Sequence, residues 1–172
     1  MKTKFLGQAG LLVETKTCKL VCDPWFSRTG GFLARWHQFP PNEHIDKHIL
    51  HDADYLYVSH EHHDHCDREF LETFPKEIPV ILANFQTKDF RDYFRELGFS
   101  KIIELDDWEK IKLSDDFELM MITDPGKYKE DSAIFIKAED HKILNKNDCY
   151  LSRDYLREFS RFGIDVLFSQ HS

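Results

Sequence analysis

The stretch VSHEHHDHCD, residues 58–67, places four histidines and two acids within the six positions 60–65. It directly follows ADYLYV, residues 53–58, whose aromatic and branched side chains predict a β-strand. In open α/β sheets, ligands bind where the strands end. The stretch therefore predicts a binding site at a strand end. A solvated polar loop is the alternative interpretation, and it is less favoured because histidine is so concentrated here.

The spacing within this stretch favours metal binding. Residues two apart on an extended or turning backbone point the same way, so His60 and His62 can hold one ion. Asp64 and His65 point elsewhere and can serve a second ion beside it. Imidazole and carboxylate are suitable donors for zinc, iron or manganese, and this donor mixture does not decide between the three metals.

The rest of the chain alternates between predicted strands and helices. Apolar runs at Leu11–Val13 and Lys19–Cys22 predict a hairpin, and Pro24 ends it because proline has no N–H for the ladder. A long loop is predicted at 26–42. Further strands are predicted at 53–58, 78–83, 101–105, 110–113, 117–123, 131–136, 142–145 and 164–168, and helices at 43–51, 67–74, 84–97 and 152–162. This order predicts an α/β or α+β fold with at least one mixed sheet.

Composition and charge narrow the class of protein. The 172 residues suit one domain, and a hydrophobic fraction of 41% is enough for a core. The net charge of −8 argues against a nucleic-acid surface, since phosphate binding needs a basic patch. The sequence predicts no signal peptide and no membrane span, and its four cysteines form no CxxC pair. These features predict a cytoplasmic protein with free thiols and no membrane partner.

HEHHDH, residues 60–65, matches the HxHxDH signature of the metallo-β-lactamase superfamily, which the chain resembles over nearly its whole length. GQAGLLVET, DPWF, VSHEHHDHCD, DSAIFIKAEDHKILNKNDC and DVLFSQHS resemble one branch, which includes the metallo-β-lactamase-like domain of CMP-N-acetylneuraminate hydroxylases. Ascorbate-lactonase-like hydrolases and N-acylphosphatidylethanolamine phospholipases are more distant in this resemblance. It implies an αββα four-layer sandwich, with residues 1–172 as a single domain. The first half would be complete and the second half short or truncated.

The same resemblance implies roles for two residues outside the histidine cluster. Asp148, in ILNKNDC, fits the position of an aspartate that bridges two metal ions. Asp23 ends an earlier strand, as an aspartate does in the family, and would hydrogen-bond a ligand histidine from behind, fixing its tautomer. A turn aspartate before proline is an equally open interpretation of Asp23.

Two departures from the family pattern affect the site. The family supplies a third histidine to the first metal just before the DSA-type strand, but TDPGKYKEDSA, residues 123–133, contains none. Lys127 takes that position, and a protonated lysine is no ligand, so it would hold an anionic substrate or mark a lost metal site. The chain also stops before the family's final metal-binding histidine, although His171 could lie near the substrate. Either this is a natural short form or an N-terminal fragment, and a fragment would expose apolar surface and so form homo-oligomers.

Together these features predict a metal-dependent hydrolase acting on a small molecule. A metal-bound hydroxide would attack an ester, amide or phosphoester. One or two divalent ions, with zinc favoured over iron or manganese, would be held by His60, His62, Asp64, His65 and Asp148. Asp64 would hold the second metal, or orient the attacking water as a base if only one ion is bound. Two alternatives stay open: an oxygenase component similar to the sialic-acid hydroxylases, without its Rieske domain because no CxH…CxxH pattern exists here, and an inactive binding relative.

Overall fold

The computed structural model describes residues 1–124 and 131–169, which form two β-sheets with helices on their outer faces. The first sheet contains six strands in chain order, β1 (Lys2–Gly7), β2 (Gly10–Glu14), β3 (Lys19–Cys22), β4 (Tyr55–Tyr57), β5 (Val80–Ala83) and β6 (Ile102–Leu105). The first three strands are antiparallel, and β3 to β6 are parallel. This sheet is therefore mixed, as the sequence predicts.

The second sheet contains five strands, β7 (Lys110–Ser114), β8 (Phe117–Thr123), β9 (Ser132–Ala138), β10 (His141–Asn147) and β11 (Val166–Ser169). Their order across the sheet is β11-β10-β9-β8-β7, and only β10 and β11 form a parallel pair. Four helices complete the described elements, α1 (His48–His51), α2 (Arg68–Leu71), α3 (Asp89–Glu96) and α4 (Arg153–Phe162). Within residues 1–124 and 131–169, none of these helices has the length and apolar character needed to cross a membrane.

Three apolar clusters hold four layers together. In β2, the side chains of Leu11 and Val13 join the core between the sheets, while Leu12 faces the opposite side with Phe94 of α3. A strand with both faces buried must be apolar throughout, which explains the unbroken LLV run. On the far side, Phe159 of α4 packs against the outer face of the second sheet. The layers are helix, sheet, sheet and helix, which confirms the predicted αββα sandwich.

The direction of the strands brings the polar residues to one edge. Because β3 and β4 are parallel, their carboxyl ends meet, and Asp23 comes to lie beside Ser59. Because β9 and β10 are antiparallel, the start of β9 meets the end of β10, so Asp131 and Asp148 lie at one end of the second sheet. Ser132 donates a hydrogen bond from Oγ to the Ser59 carbonyl oxygen at 2.7 Å, which joins the two edges.

Several predicted boundaries differ from the structure. The strand Lys2–Gly7 was not predicted, because its first four residues, KTKF, are exposed on both faces and show no apolar alternation. The predicted helix at 43–51 is only one turn, His48–His51. Asn84 does not cap the next helix, which begins five residues later with Lys88 at its N-cap and no side-chain hydrogen bond there. Asn84 instead donates from its side chain to Asp106 at 2.7 Å, so a tertiary contact replaces the local cap.

Asp67 caps α2 as predicted, and it also holds the long loop in place. Its carboxylate accepts hydrogen bonds from the backbone N–H groups of Phe26 and Ser27, both at 2.7 Å, and of Phe70 at 3.2 Å. The residue is 4% exposed. One buried carboxylate therefore fixes both the start of the loop at 26–42 and the chain that follows the histidine cluster.

We expect Asp67→Ala to lower the free energy of unfolding by about 2–4 kcal/mol, because three backbone donors lose a charged acceptor. Urea denaturation measures this change. Asp154→Ala is the matched control, since Asp154 lies in the first turn of α4 with a side chain 85% exposed. The control should change stability by less than about 1 kcal/mol. Equal effects of the two substitutions would contradict the role given to Asp67.

Candidate metal centre

Asp23 anchors the site at the ends of two neighbouring strands. It is fully buried, and its carboxylate accepts hydrogen bonds from Ser59 N at 2.7 Å and Ser59 Oγ at 2.8 Å. Its Oδ2 also lies 3.1 Å from Nδ1 of His65. Because a carboxylate only accepts hydrogen bonds, the His65 Nδ1 carries the hydrogen in this contact. The predicted contact between Asp23 and a site histidine is therefore present.

His60 and His65 lie side by side, and each ring is held at its Nδ1 atom. Their centroids are 4.1 Å apart, and Ser59 Oγ lies 3.0 Å and 3.1 Å from the two Nδ1 atoms. Asp131 Oδ1 lies 3.2 Å from Nδ1 of His60, just as Asp23 contacts His65. Contacts of this kind fix the tautomer and the ring orientation of metal-binding histidines. They leave the Nε2 atoms to face the site.

The Nε2 atom of His65 fits a cation. It is buried and has no hydrogen-bond partner, and the nearest carboxylate oxygens belong to Asp148 at 3.6 Å and Asp64 at 3.7 Å. A buried nitrogen without a partner is costly unless something binds it. Among the described residues, His60, His65 and Asp148 offer ligand atoms that all lie within 4.8 Å of one another. Two imidazoles and a carboxylate are a donor set that suits zinc or iron.

The two other predicted ligands lie beside this group. Nδ1 of His62 is 2.9 Å from Nε2 of His60, and the His62 ring reaches the surface. Asp64 is 2% exposed, and its Oδ2 accepts a hydrogen bond from Gln8 Nε2 at 3.1 Å. The structure thus brings together all five residues predicted as ligands. Its tightest group joins His60 to His65 and Asp148, whereas the sequence spacing paired His60 with His62.

Charge and burial shift the acid–base behaviour of the cluster. Burial alone would lower the pKa of His65, but the carboxylates of Asp148 and Asp23 outweigh it and raise that pKa to about 10. Burial, with His65 and His62 nearby, lowers the pKa of His60 to about 3. Burial and the charge of Asp148 raise the pKa of Asp131. Without a cation, the proton on His65 supplies the positive charge that faces several carboxylates. A metal ion bound there would supply that positive charge instead.

Two predicted substrate contacts, Lys127 and His171, lie outside the described residues. The sequence analysis missed three residues that contact the cluster, namely Gln8, Ser59 and Asp131. Asp131 had a usable signal, because it is the acid next to the start of β9, where the family histidine is missing. Gln8 had none, since it reaches Asp64 across 56 positions of sequence.

Comparison with known proteins identifies the class that this fold and site define. The model of the beta-lactamase superfamily domain matches residues 2–135, so the chain belongs to that family. This confirms the resemblance carried by HEHHDH. A crystal structure of isothiocyanate hydrolase from Delia radicum gut bacteria shares the fold, with a TM-score of 0.74 at 18% identity. The match covers 97% of this chain and 70% of that one.

Two curated relatives are similar along the sequence. A Mycobacterium tuberculosis protein, provisionally named a Rieske 2Fe-2S iron–sulfur protein, is 34% identical over 100% of this chain and 34% of its own length. The cytidine monophosphate-N-acetylneuraminic acid hydroxylase of Danio rerio is 28% identical over 84% of this chain and 25% of its own length. The chain therefore spans about a third or less of these relatives. Its similarity to the sialic-acid hydroxylase branch agrees with the sequence prediction.

We expect Asp23→Asn to weaken zinc binding by about 10- to 100-fold, because the amide no longer matches the two Ser59 donors and the His65 ring. Competition with a chromophoric chelator measures this affinity. Asp115→Asn is the matched control, with a side chain that is 96% exposed, and its affinity should equal that of the unchanged chain. Unchanged zinc affinity in Asp23→Asn would show that Asp23 does not position His65 for a metal.

Proposed function

We propose that this chain is a metal-dependent hydrolase acting on an ester, amide or phosphoester of a small molecule. The observation that supports this most directly is the buried, unpartnered Nε2 of His65, which faces two carboxylates beside His60. A buried histidine nitrogen of this kind is available as a metal ligand, and three protein ligands would leave a further position on the metal for water or substrate, as a catalytic site requires.

The residues that would hold the ion are the three tightest donors, with His62 and Asp64 completing one or two positions. Zinc is the metal we favour, and iron or manganese would suit the same donors. A divalent ion held there supplies Lewis acidity and makes water a nucleophile near neutral pH. Asp23 and Asp131 would fix the rings of His65 and His60 from behind.

Asp64 is the residue we propose as the base when a single ion is bound by the other donors. Gln8 donates to its Oδ2, so the carboxylate has a fixed direction, and Oδ2 lies 3.7 Å from His65 Nε2. A carboxylate held in this way can accept a proton from an attacking water and orient it toward the substrate. Its burial at 2% exposure keeps competing solvent from this proton transfer.

The long loop would form one wall of the substrate site. The Phe32 ring packs edge-on against His62 at 5.9 Å and His63 at 5.4 Å between centroids. An aromatic side chain next to polar groups is typical of small-molecule sites, where apolar contacts bind and a few polar groups orient. We therefore propose a small-molecule substrate rather than a nucleic acid, consistent with the net charge of −8.

The cysteines support a reducing compartment. All four are buried and free, and burial raises the pKa of the Cys18 and Cys149 thiols to about 12. Buried free thiols pack as small apolar side chains. Cysteines stay unpaired in a reducing compartment such as the cytoplasm. We propose that the chain works there.

We expect Asp64→Asn to lower kcat by about 10²- to 10⁴-fold on any ester, lactone or phosphodiester that the zinc-loaded chain cleaves. Asn keeps the size of the side chain but does not accept the proton. Stopped assays on a substrate panel, with zinc content measured in the same samples, separate lost chemistry from lost metal. Asp140→Asn, in the turn between β9 and β10, is the matched control and should keep full activity.

The absence of turnover in samples that contain stoichiometric zinc, iron or manganese would contradict the hydrolase proposal. A substrate cleaved equally fast by Asp64→Asn would instead remove Asp64 from the mechanism and leave the metal as the hydrolytic group. The two outcomes differ, because only the first affects the reaction class.

A second candidate function is an oxygenase component. The observation that favours it is the similarity to relatives whose names include a Rieske protein and a sialic-acid hydroxylase. The 172 residues contain no CxH…CxxH pattern, so an iron–sulfur cluster would have to come from elsewhere. Iron-loaded chain mixed with a reduced Rieske protein should then oxidise it under oxygen. Failure of this transfer, with iron bound, would remove the candidate.

A further inference from the structure

A small cavity lies between the two sheets, next to the metal centre. Its volume is about 50 Å³, which is room for a few water-sized groups. It is bounded by the turn after β1, the end of β10 and the edge strand β11. The side chains that matter for the argument are Gln8, Leu11, Asn145, Asn147 and Phe168.

Two asparagines in this cavity have polar atoms without partners. Asn145 and Asn147 are each 2% exposed. Asn147 Nδ2 and Oδ1 have no hydrogen-bond partner, and Asn145 Nδ2 has none apart from a weak interaction with the Cys22 thiol. Buried amides are almost always hydrogen-bonded in folded proteins, so these unsatisfied atoms in one place need an explanation. Asn147 also has a left-handed backbone, with φ of 51°, which asparagine tolerates better than most residues.

The cavity adjoins the metal centre on two sides. Gln8 lines the cavity, and its Nε2 donates to Asp64 at 3.1 Å. Asn147 directly precedes Asp148, whose Oδ2 lies 3.6 Å from Nε2 of His65. The cavity is therefore separated from the proposed ligands by Gln8 on one side and by the Asn147–Asp148 backbone on the other.

The chemistry of the cavity selects an uncharged group. None of the described residues that line it is charged, so neither an anion nor a cation would find a counter-charge there. An anionic group would also lie near the carboxylates of Asp64 and Asp148. The unsatisfied atoms are two amide nitrogens, which donate, and one amide oxygen, which accepts, so a matching group must both accept and donate.

We propose that Asn145 and Asn147 form a binding subsite for a neutral group of the substrate that both accepts and donates hydrogen bonds, such as an amide or a hydroxyl. This proposal deepens the proposed function and rests on it, because it names the group that holds the substrate beside the metal centre. The subsite would bind the neutral group of the substrate through hydrogen bonds, while the metal centre acts on a neighbouring bond of the same substrate.

Acetamide is the probe for this subsite, and acetone is its control, because acetone has the same shape and acceptor but no N–H donor. We would titrate each into the zinc-loaded, ¹⁵N-labelled full chain and follow the side-chain amide signals of Asn145 and Asn147. We expect a saturable shift of these signals with acetamide and a response at least about tenfold weaker with acetone.

Asn147→Gly should weaken the acetamide response by about tenfold or more, because glycine keeps the left-handed backbone and removes the amide. Asn145→Leu tests the same subsite through the other asparagine and decides the matter if Asn147→Gly does not fold. Asn84→Gly, at an exposed position directly after β5, is the matched control and should bind acetamide like the unchanged chain.

Equal responses to acetamide and acetone, or acetamide binding that persists in both asparagine variants, would overturn the proposal. So would a linear, unsaturable shift, since the cavity would then hold only water. The titration involves no turnover, so an inactive chain that binds acetamide through the asparagines would contradict the hydrolase proposal and leave the subsite standing.

Discussion

The contact between the buried Asp23 carboxylate and Ser59 is the constraint on which the site depends. Asp23 has no exposure to water, so its charge is tolerable only because Ser59 donates to it twice and His65 contacts it. Those contacts fix the backbone at residue 59, directly before the histidine stretch. The segment between Ser59 and His65 is then held at both ends, because His65 contacts the same carboxylate six residues later.

This constraint also links the two sheets. The Ser59 carbonyl oxygen accepts from Ser132 Oγ, and Ser132 Oγ lies 2.9 Å from the Tyr57 hydroxyl. A displacement of the second sheet would therefore move the same residue that orients both histidine rings. Because β9 starts at Ser132, Asp131 is held one residue away, within reach of His60. The geometry of the candidate metal centre is in this sense a consequence of how the sheets pack.

Local chemistry explains which parts of the fold could be predicted. Ser152 and Gly163 bound α4 as predicted, because a side-chain cap and a left-handed glycine act within one turn of helix. The strand at Val80–Ala83 was predicted from its apolar run, although it begins two residues later than expected. Asn84 misled the prediction because its side chain found a partner on another strand. Local rules failed where a tertiary contact competed for the same atoms.

The site was predictable in composition and less so in arrangement. HEHHDH identifies the histidines because the spacing lies within one short stretch. The carboxylate behind His60 is 71 positions away, and only its place beside the missing family histidine, not a periodicity, points to Asp131. The cavity asparagines gave no signal either, since an asparagine in a strand can be a surface residue, and only the closing of the two sheets buries Asn145 and Asn147.

The charges around the site suggest how binding is divided within it. Asp23, Asp64, Asp131 and Asp148 surround two histidines, and a proton on His65 offsets only part of that negative charge. A divalent cation offsets more of it and also pairs the His65 nitrogen that has no partner, so this half of the site favours a metal. The adjoining cavity carries no charge among its described lining residues, and its open amide groups would favour a neutral partner. A substrate that binds in the uncharged cavity and reacts at the metal centre would need no cationic side chain for its binding. Affinity for such a substrate should then depend little on ionic strength, because screening acts on charge pairs and hardly at all on hydrogen bonds between uncharged groups.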